Sequence, residues 1–168
     1  MDAYINSEGL PLKEKVAIFA DVQNVYYTNK QTSGRHFDYN AFWQEATQNK
    51  DVVRAVAYAI DRGDAGQMNF QRILKGIGFD VRLKPYIQRK DGSAKGDWDV
   101  GITIDMLDAA KDVDRVILLS GDGDFDLALE RIKQDGIKTC VYAPEALTAK
   151  SLIDAADDFR AVDRSLLL

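Results

Sequence analysis

Val16-Ala17-Ile18-Phe19-Ala20 and Val116-Ile117-Leu118-Leu119 are strand-length runs without a single polar residue. A strand with one face in water alternates apolar and polar side chains. A run that does not alternate needs cover on both faces, the condition of a central strand in a parallel sheet packed between helices. Both runs end in acid. Ala20 leads into Asp21-Val22-Gln23-Asn24, and Leu119 leads into Ser120-Gly121-Asp122-Gly123-Asp124-Phe125-Asp126.

The rest of the chain punctuates in the same rhythm. Asp51 to Ile60 reads as a second strand, Phe79 to Ile87 as a third that Pro85 pushes towards a sheet edge, and Ile137 to Ala143 as a fifth. Phe159 to Val162 offers a short last strand. Helices are predicted from the cap Asp38 to about Gln48 with Phe42 and Trp43 inward, from Asp64 to Gly76 or Gly78, from Asp124 to Gln134, and from Ala149 to Ala156. Asp97 to Lys111 fits both periods, since Trp98, Val100, Ile102, Ile104 and Met106 alternate while Val100, Ile104, Leu107 and Lys111 fall at helical spacing. Helix is the choice, because a parallel strand must be reached by a crossover. Tyr26 to His36 is polar and reads as a loop, as does the basic Gln88 to Gly96. The expectation is a single α/β domain of three layers with a mostly parallel sheet of order about 3-2-1-4-5, spanning residues 15–168 behind a polar leader, 1–14.

Composition narrows the classes. At 46% hydrophobic over 168 residues, the chain can bury a core. The one cysteine, Cys140, sits in an apolar run and reads as a buried thiol. The one histidine, His36, has no second histidine for a zinc site and no triad context. Residues 1–15 lack the basic start and apolar run of a signal peptide, and no stretch reaches the ~20 apolar residues of a membrane span. A cytoplasmic location is expected. A net charge of −5 and a pI near 4.9 argue against a general nucleic-acid coat, but not against a metal-using enzyme that acts on nucleic acid.

Open parallel sheets bind ligands beyond the strand C-termini, where the strand order reverses. Order 3-2-1-4-5 puts Asp21 and Asp122 on either side of that point. Asp99 opens the crossover helix that must pass the same rim, and Asp124 and Asp126 start the next. Asp105 lies ~9 Å further along the crossover helix, on another face. Gathered carboxylates repel, and a hard divalent cation relieves that cost. Mg²⁺ or Mn²⁺ suits this oxygen-only set and would serve phosphodiester chemistry. Asn24 is placed to hold water or phosphate, and Lys95 to contact substrate phosphate. Each residue also has a plainer reading. Asp21 could cap a helix, Asp122 to Asp126 could be an acidic N-cap run, and Asp61 a surface turn. Lys84, Arg89, Lys90 and Lys95 could be a nucleic-acid finger or a solvated loop. Tyr26 and Tyr27 could stack on bases or pack locally.

Phe19-Ala20-Asp21-Val22-Gln23-Asn24, Lys95-Gly96-Asp97-Trp98-Asp99-Val100 with Asp105-Met106-Leu107, and Leu119-Ser120-Gly121-Asp122-Gly123-Asp124-Phe125 together resemble the NYN-domain family, the LabA-like branch of the PIN-like nucleases. The similarity runs from about Val16 to Val162. It implies a PIN-like fold and metal-dependent RNA cleavage. It implies metal-holding acids at Asp21, Asp99 and Asp122, a further acid at Asp124 or Asp126, and Asn24 as polar partner. Asp61 fits a supporting acid loosely.

Three functions follow. In the first, Asp21, Asp99 and Asp122, with Asp126, hold the metal of a ribonuclease, and Asp124 joins the catalytic set. In the second, the domain binds RNA or a protein partner and its nuclease site is weak or silent. The third, a phosphatase or nucleotide hydrolase, ranks last because the chain lacks an Asp-x-Asp-x-Thr nucleophile loop and a Walker A loop. Edge strands near Lys84 or Thr139 offer pairing for a homodimer.

Overall fold

The computed structural model describes residues 5, 7–85, 87–88, 94–95 and 97–168. Along the chain run β1 (Glu14–Asp21), α1 (Val22–Ser33), α2 (Tyr39–Thr47), β2 (Lys50–Asp61), α3 (Ala65–Ile77) and β3 (Asp80–Pro85). The short strands β4 (Ile87–Gln88) and β5 (Ala94–Lys95) pair antiparallel. Then come α4 (Asp99–Ala109), β6 (Arg115–Leu119), α5 (Asp126–Gln134), β7 (Lys138–Ala143), α6 (Lys150–Ala155) and β8 (Asp158–Ala161). The main sheet has six strands in the order β3-β2-β1-β6-β7-β8, and every neighbouring pair is parallel. The expected strand order holds, and β8 extends it by one.

The period of two in β1 divides the core. Ala17 and Phe19 face one layer with Ile102 and Met106 of α4 and Leu129 and Ile132 of α5. Val16, Ile18 and Ala20 face the other, with Val25 of α1, Phe42 of α2 and Leu74 of α3. All five apolar residues of β1 are fully buried, as a run without alternation requires. Asp105 and Trp98 settle the ambiguity of the crossover segment. As a helix, it turns Ile102, Asp105 and Met106 to the sheet and leaves Val100 and Ile104 exposed.

Three expectations need correction. Tyr26 to His36 is not a loop, because α1 carries the helix to Ser33. Its buried face is polar, and side chains satisfy the turns themselves. Thr28 Oγ1 donates to the Asn24 carbonyl and Asn29 Nδ2 to the Val25 carbonyl, both at 2.8 Å. The segment from Gln88 is not wholly a loop either, since β4 and β5 form a small hairpin around it. Thr139 is not on an edge. β7 is paired on both sides, by β6 and β8, and Thr139 is fully buried. β3, with Lys84, is a true edge, as Pro85 foretold. Arg89, Lys90 and the Lys95 side chain lie outside the described residues, as do residues 1–4 of the expected leader.

Helix ends follow their caps. Asp38 and Asp64 accept the N–H groups of Ala41 and Gln67, at 3.1 and 2.7 Å. Gly78 ends α3 at φ 138°, where a Cβ would also sit 2.7 Å from the Trp43 ring, so position and neighbour both demand glycine. Cys140 is buried, and burial pushes its thiol up to about 12. Among the described residues no helix is long and apolar enough to cross a membrane.

Candidate metal centre

The register of the sheet brings the acids together. Ala20 pairs with Leu119, so Asp21 and Ser120 leave their strands at the same level. β1 and β6 are neighbours whose chains depart to opposite sides, which makes this the point where strand order reverses. The α4 crossover then delivers Asp99 to the same rim. One carboxylate oxygen from each of Asp21, Asp99 and Asp122 lies within 4.8 Å of the others.

Asp21 stands at the N-cap position of α1, yet its side chain makes no capping hydrogen bond. It accepts instead from Ser120 Oγ at 3.2 Å. The Asn24 N–H also draws on this carboxylate, so Asp21 serves the start of α1 and the cluster together. Asp122 does cap, since its Oδ1 accepts from the Asp124 N–H at 2.9 Å and opens a 3-10 turn over Gly123–Phe125. A carboxylate has two oxygens, so capping leaves Asp122 able to serve the cluster as well. Ser120 ties the two together, because its Oγ also accepts from the Asp122 N–H at 3.2 Å.

Asp99 opens α4 and is held by its own surroundings. Trp98 donates from Nε1 to the Ala59 carbonyl at 2.9 Å and fixes the start of the helix against β2. Lys84 Nζ lies 4.4 Å above the Trp98 ring. Gly101 leaves room for that indole, since a Cβ there would meet Trp98 at 2.9 Å. Asp97 accepts from the Asp99 N–H at 3.1 Å. Asn24 Oδ1 accepts from the Gly121 N–H at 2.9 Å and so locks α1 to the β6 loop. Gly121 itself packs tightly, for a Cβ would lie 2.9 Å from the Leu147 carbonyl.

The electrostatics are those of crowded acids. Burial pushes the Asp21 carboxyl up to about 6, with the Asn24 N–H and the Ser120 hydroxyl opposing it and repulsion from Asp122 and Asp97 adding to it. Burial, then Asp122, Asp97 and Asp21, push Asp99 up to about 7. The donor set fits a hard divalent cation. At ~2.1 Å metal–oxygen distance, octahedral ligand oxygens sit roughly 3.0–4.2 Å apart, close to the spacing of up to 4.8 Å seen here.

Three of the five expected acids thus converge. Asp124 and Asp126 fall outside that group. Asp126 begins α5, and its Oδ1 accepts from the Leu127 N–H at 2.6 Å. Asp61 accepts from the Gly63 N–H at 2.9 Å and is an exposed turn residue. Asp105 does different work. It accepts from Tyr58 Oη and Arg82 Nη1, both at 2.6 Å, and lies 3.5 Å from Arg54 Nη2. Asp97 and Ser120 escaped the sequence reading. Asp97 was masked by its neighbour Asp99, and a serine after a strand carries no metal signal of its own.

Comparison with known proteins agrees with this architecture. The NYN domain matches residues 15–163. The low amplitude and bright protein LabA of Synechococcus elongatus is 28% identical over 153 residues, which span 86% of this chain and 82% of LabA. The crystal structure of VPA0982, a protein of unknown function from Vibrio parahaemolyticus, is 60% identical. It superposes with a TM-score of 0.89 over 93% of this chain and 97% of that one. With the parallel sheet, the acids at its switch point and the match over most of its length, the chain belongs to the NYN-domain family of PIN-like nucleases.

Proposed function

We propose that the protein is a metal-dependent ribonuclease, with Asp21, Asp99 and Asp122 holding Mg²⁺ or Mn²⁺. The convergence of these three carboxylates carries the reading. Two of them are raised towards neutrality, which is costly in a site without a counter-charge. When bound, a divalent cation polarises the scissile phosphate and lowers the pKa of a water.

The chain's own residues supply the rest. Ser120 orients Asp21 and, through the Asp122 N–H, the loop that bears Asp122. Asp97 steadies the start of α4 and adds negative charge beside Asp21 and Asp99. Asn24 keeps the β6 loop in register with α1, so its role is to position the acids as well as any water or phosphate beside them. Asp124 and Asp126 act at one remove, through water. Lys95 follows from β5 and meets the substrate phosphate.

The test is cleavage of a panel of single-stranded and structured RNAs by pure protein, with EDTA, Mg²⁺ and Mn²⁺. Cleavage that needs metal and is lost in both Asp122→Asn and Asp99→Asn is expected. Equal cleavage by wild type and variants would sink the assignment. No cleavage of any RNA, with RNA bound, would favour the regulatory binding domain that the net charge of −5 allows.

A further inference from the structure

We propose that the cavity beside the acids is a nucleobase subsite, which takes one unstacked base of a single-stranded RNA next to the scissile phosphate. This rests on the ribonuclease reading and names how substrate is gripped. The cavity measures about 480 Å³, within the usual range for pockets that hold a small organic ligand. It opens on the same rim as the acids. Val22 and Gln23, which directly follow Asp21, line one side, and Ala59 and Ile60 line another. Tyr58, the residue before Ala59, is the register partner of Asp21.

Its walls suit a flat heteroaromatic ring. Tyr26, Tyr27, Tyr39 and Phe70 all line it. Tyr26 stacks on His36 at 5.7 Å, and Tyr39 meets Phe70 edge-on at 5.6 Å. Tyr26 and Tyr27 are 40% and 48% exposed and meet edge-on at 5.2 Å. Aromatic faces grip unpaired bases by stacking.

Its polar groups suit a base edge. Gln23 and Gln71 are half-buried in the lining and make no side-chain hydrogen bond among the described residues. Gln67 is spoken for, since its Oε1 accepts from the Arg62 N–H at 2.6 Å and its amide donates to the Ile60 carbonyl. Gln67 therefore sets the turn that carries Arg62 along the cavity, where the guanidinium donates to Tyr27 Oη at 3.4 Å. Tyr39 gives the lining a fixed ring. Its hydroxyl is fully buried and has no hydrogen-bond partner among the described residues.

The experiment is calorimetric titration of the full chain, in EDTA, with the four ribonucleoside monophosphates and with ribose phosphate as the baseless control. Saturable binding of at least one nucleotide is expected, with none for ribose phosphate. Tyr27→Ala should weaken it by at least about fivefold, as loss of a stacking face does. Gln71→Ala should change the order of preference among bases. Absence of binding to every nucleotide, equal binding of ribose phosphate, or binding indifferent to Tyr27→Ala and Gln71→Ala would each overturn the subsite. RNA cleavage on the same samples separates the claims. Cleavage without nucleotide binding removes the subsite and spares the nuclease. Tyr27-dependent binding without cleavage spares the subsite and removes the nuclease.

Discussion

Single carboxyls make the sharpest predictions. Asp21 and Asp99 are raised in the folded protein, to about 6 and about 7. Between pH ~4, the ordinary carboxylate range, and pH ~7, the native state then binds more protons than the unfolded chain. Unfolding free energy must therefore rise as pH falls through that window in EDTA. Thermal midpoints from pH 7 to pH 5 should climb in wild type and climb less in Asp99→Asn. Metal reverses the sign, because it competes with those protons, so its stabilisation should fade below pH 6. Asp105 belongs to a different prediction. Its removal strands Tyr58 Oη in the core, while Arg82 and Arg54 can turn to water. Asp105→Ala should cost about 1–3 kcal/mol in urea denaturation and leave metal affinity unchanged. Asp21 and Asp122 were legible because acids after apolar runs stand out, and Asp99 because it opens the crossover helix. Asp105 was legible only as a misfit, being six residues on from Asp99 in a helix. Its partners, Arg54, Tyr58 and Arg82, come from two strands that no local pattern connects.

At the scale of elements, the loop after β6 is the tightest joint. Gly121→Ala drives a Cβ towards the Leu147 carbonyl, and the loop must move to admit it. A loss of about 1–3 kcal/mol is expected on chemical denaturation, with weaker metal binding because Asp122 follows directly. Asn24→Ala leaves the Gly121 N–H without its acceptor and should cost about 1–2 kcal/mol. The central strands were readable because the unbroken apolar runs 16–20 of β1 and 116–119 of β6 are buried along their whole length. α1 was not, since helical periodicity is a signal of apolar faces and its face carries Thr28 and Asn29. Such a helix is written in hydrogen bonds back to its own carbonyls, which a hydropathy pattern does not record. The β4–β5 hairpin is two residues a side, too short to show as a strand. The aromatic cavity was invisible for another reason. Its lining comes from α1, the segment leading into α2, β2, α3 and the C-terminal Leu168, and only the folded order of layers brings them together.

At the scale of the whole molecule, the parallel sheet turns a pattern of scattered aspartates into one place. Two strand ends and one crossover helix bring Asp21, Asp122 and Asp99 to one rim, and the cavity opens on the same side. The acidic net charge of −5 gains sense there, since the acids that contribute to it are also those a cation would neutralise. The account stands or falls on that cation. The decisive measurement is thermal unfolding of wild type and Asp122→Asn in EDTA and in saturating Mn²⁺. Saturation at a hundred times Kd adds about 2.7 kcal/mol to the folded state. For a chain of this length that raises the midpoint by roughly 5–10 °C. The rise should occur in wild type and vanish in Asp122→Asn. No rise in wild type, or the same rise in both proteins, would contradict a metal centre built from these three aspartates.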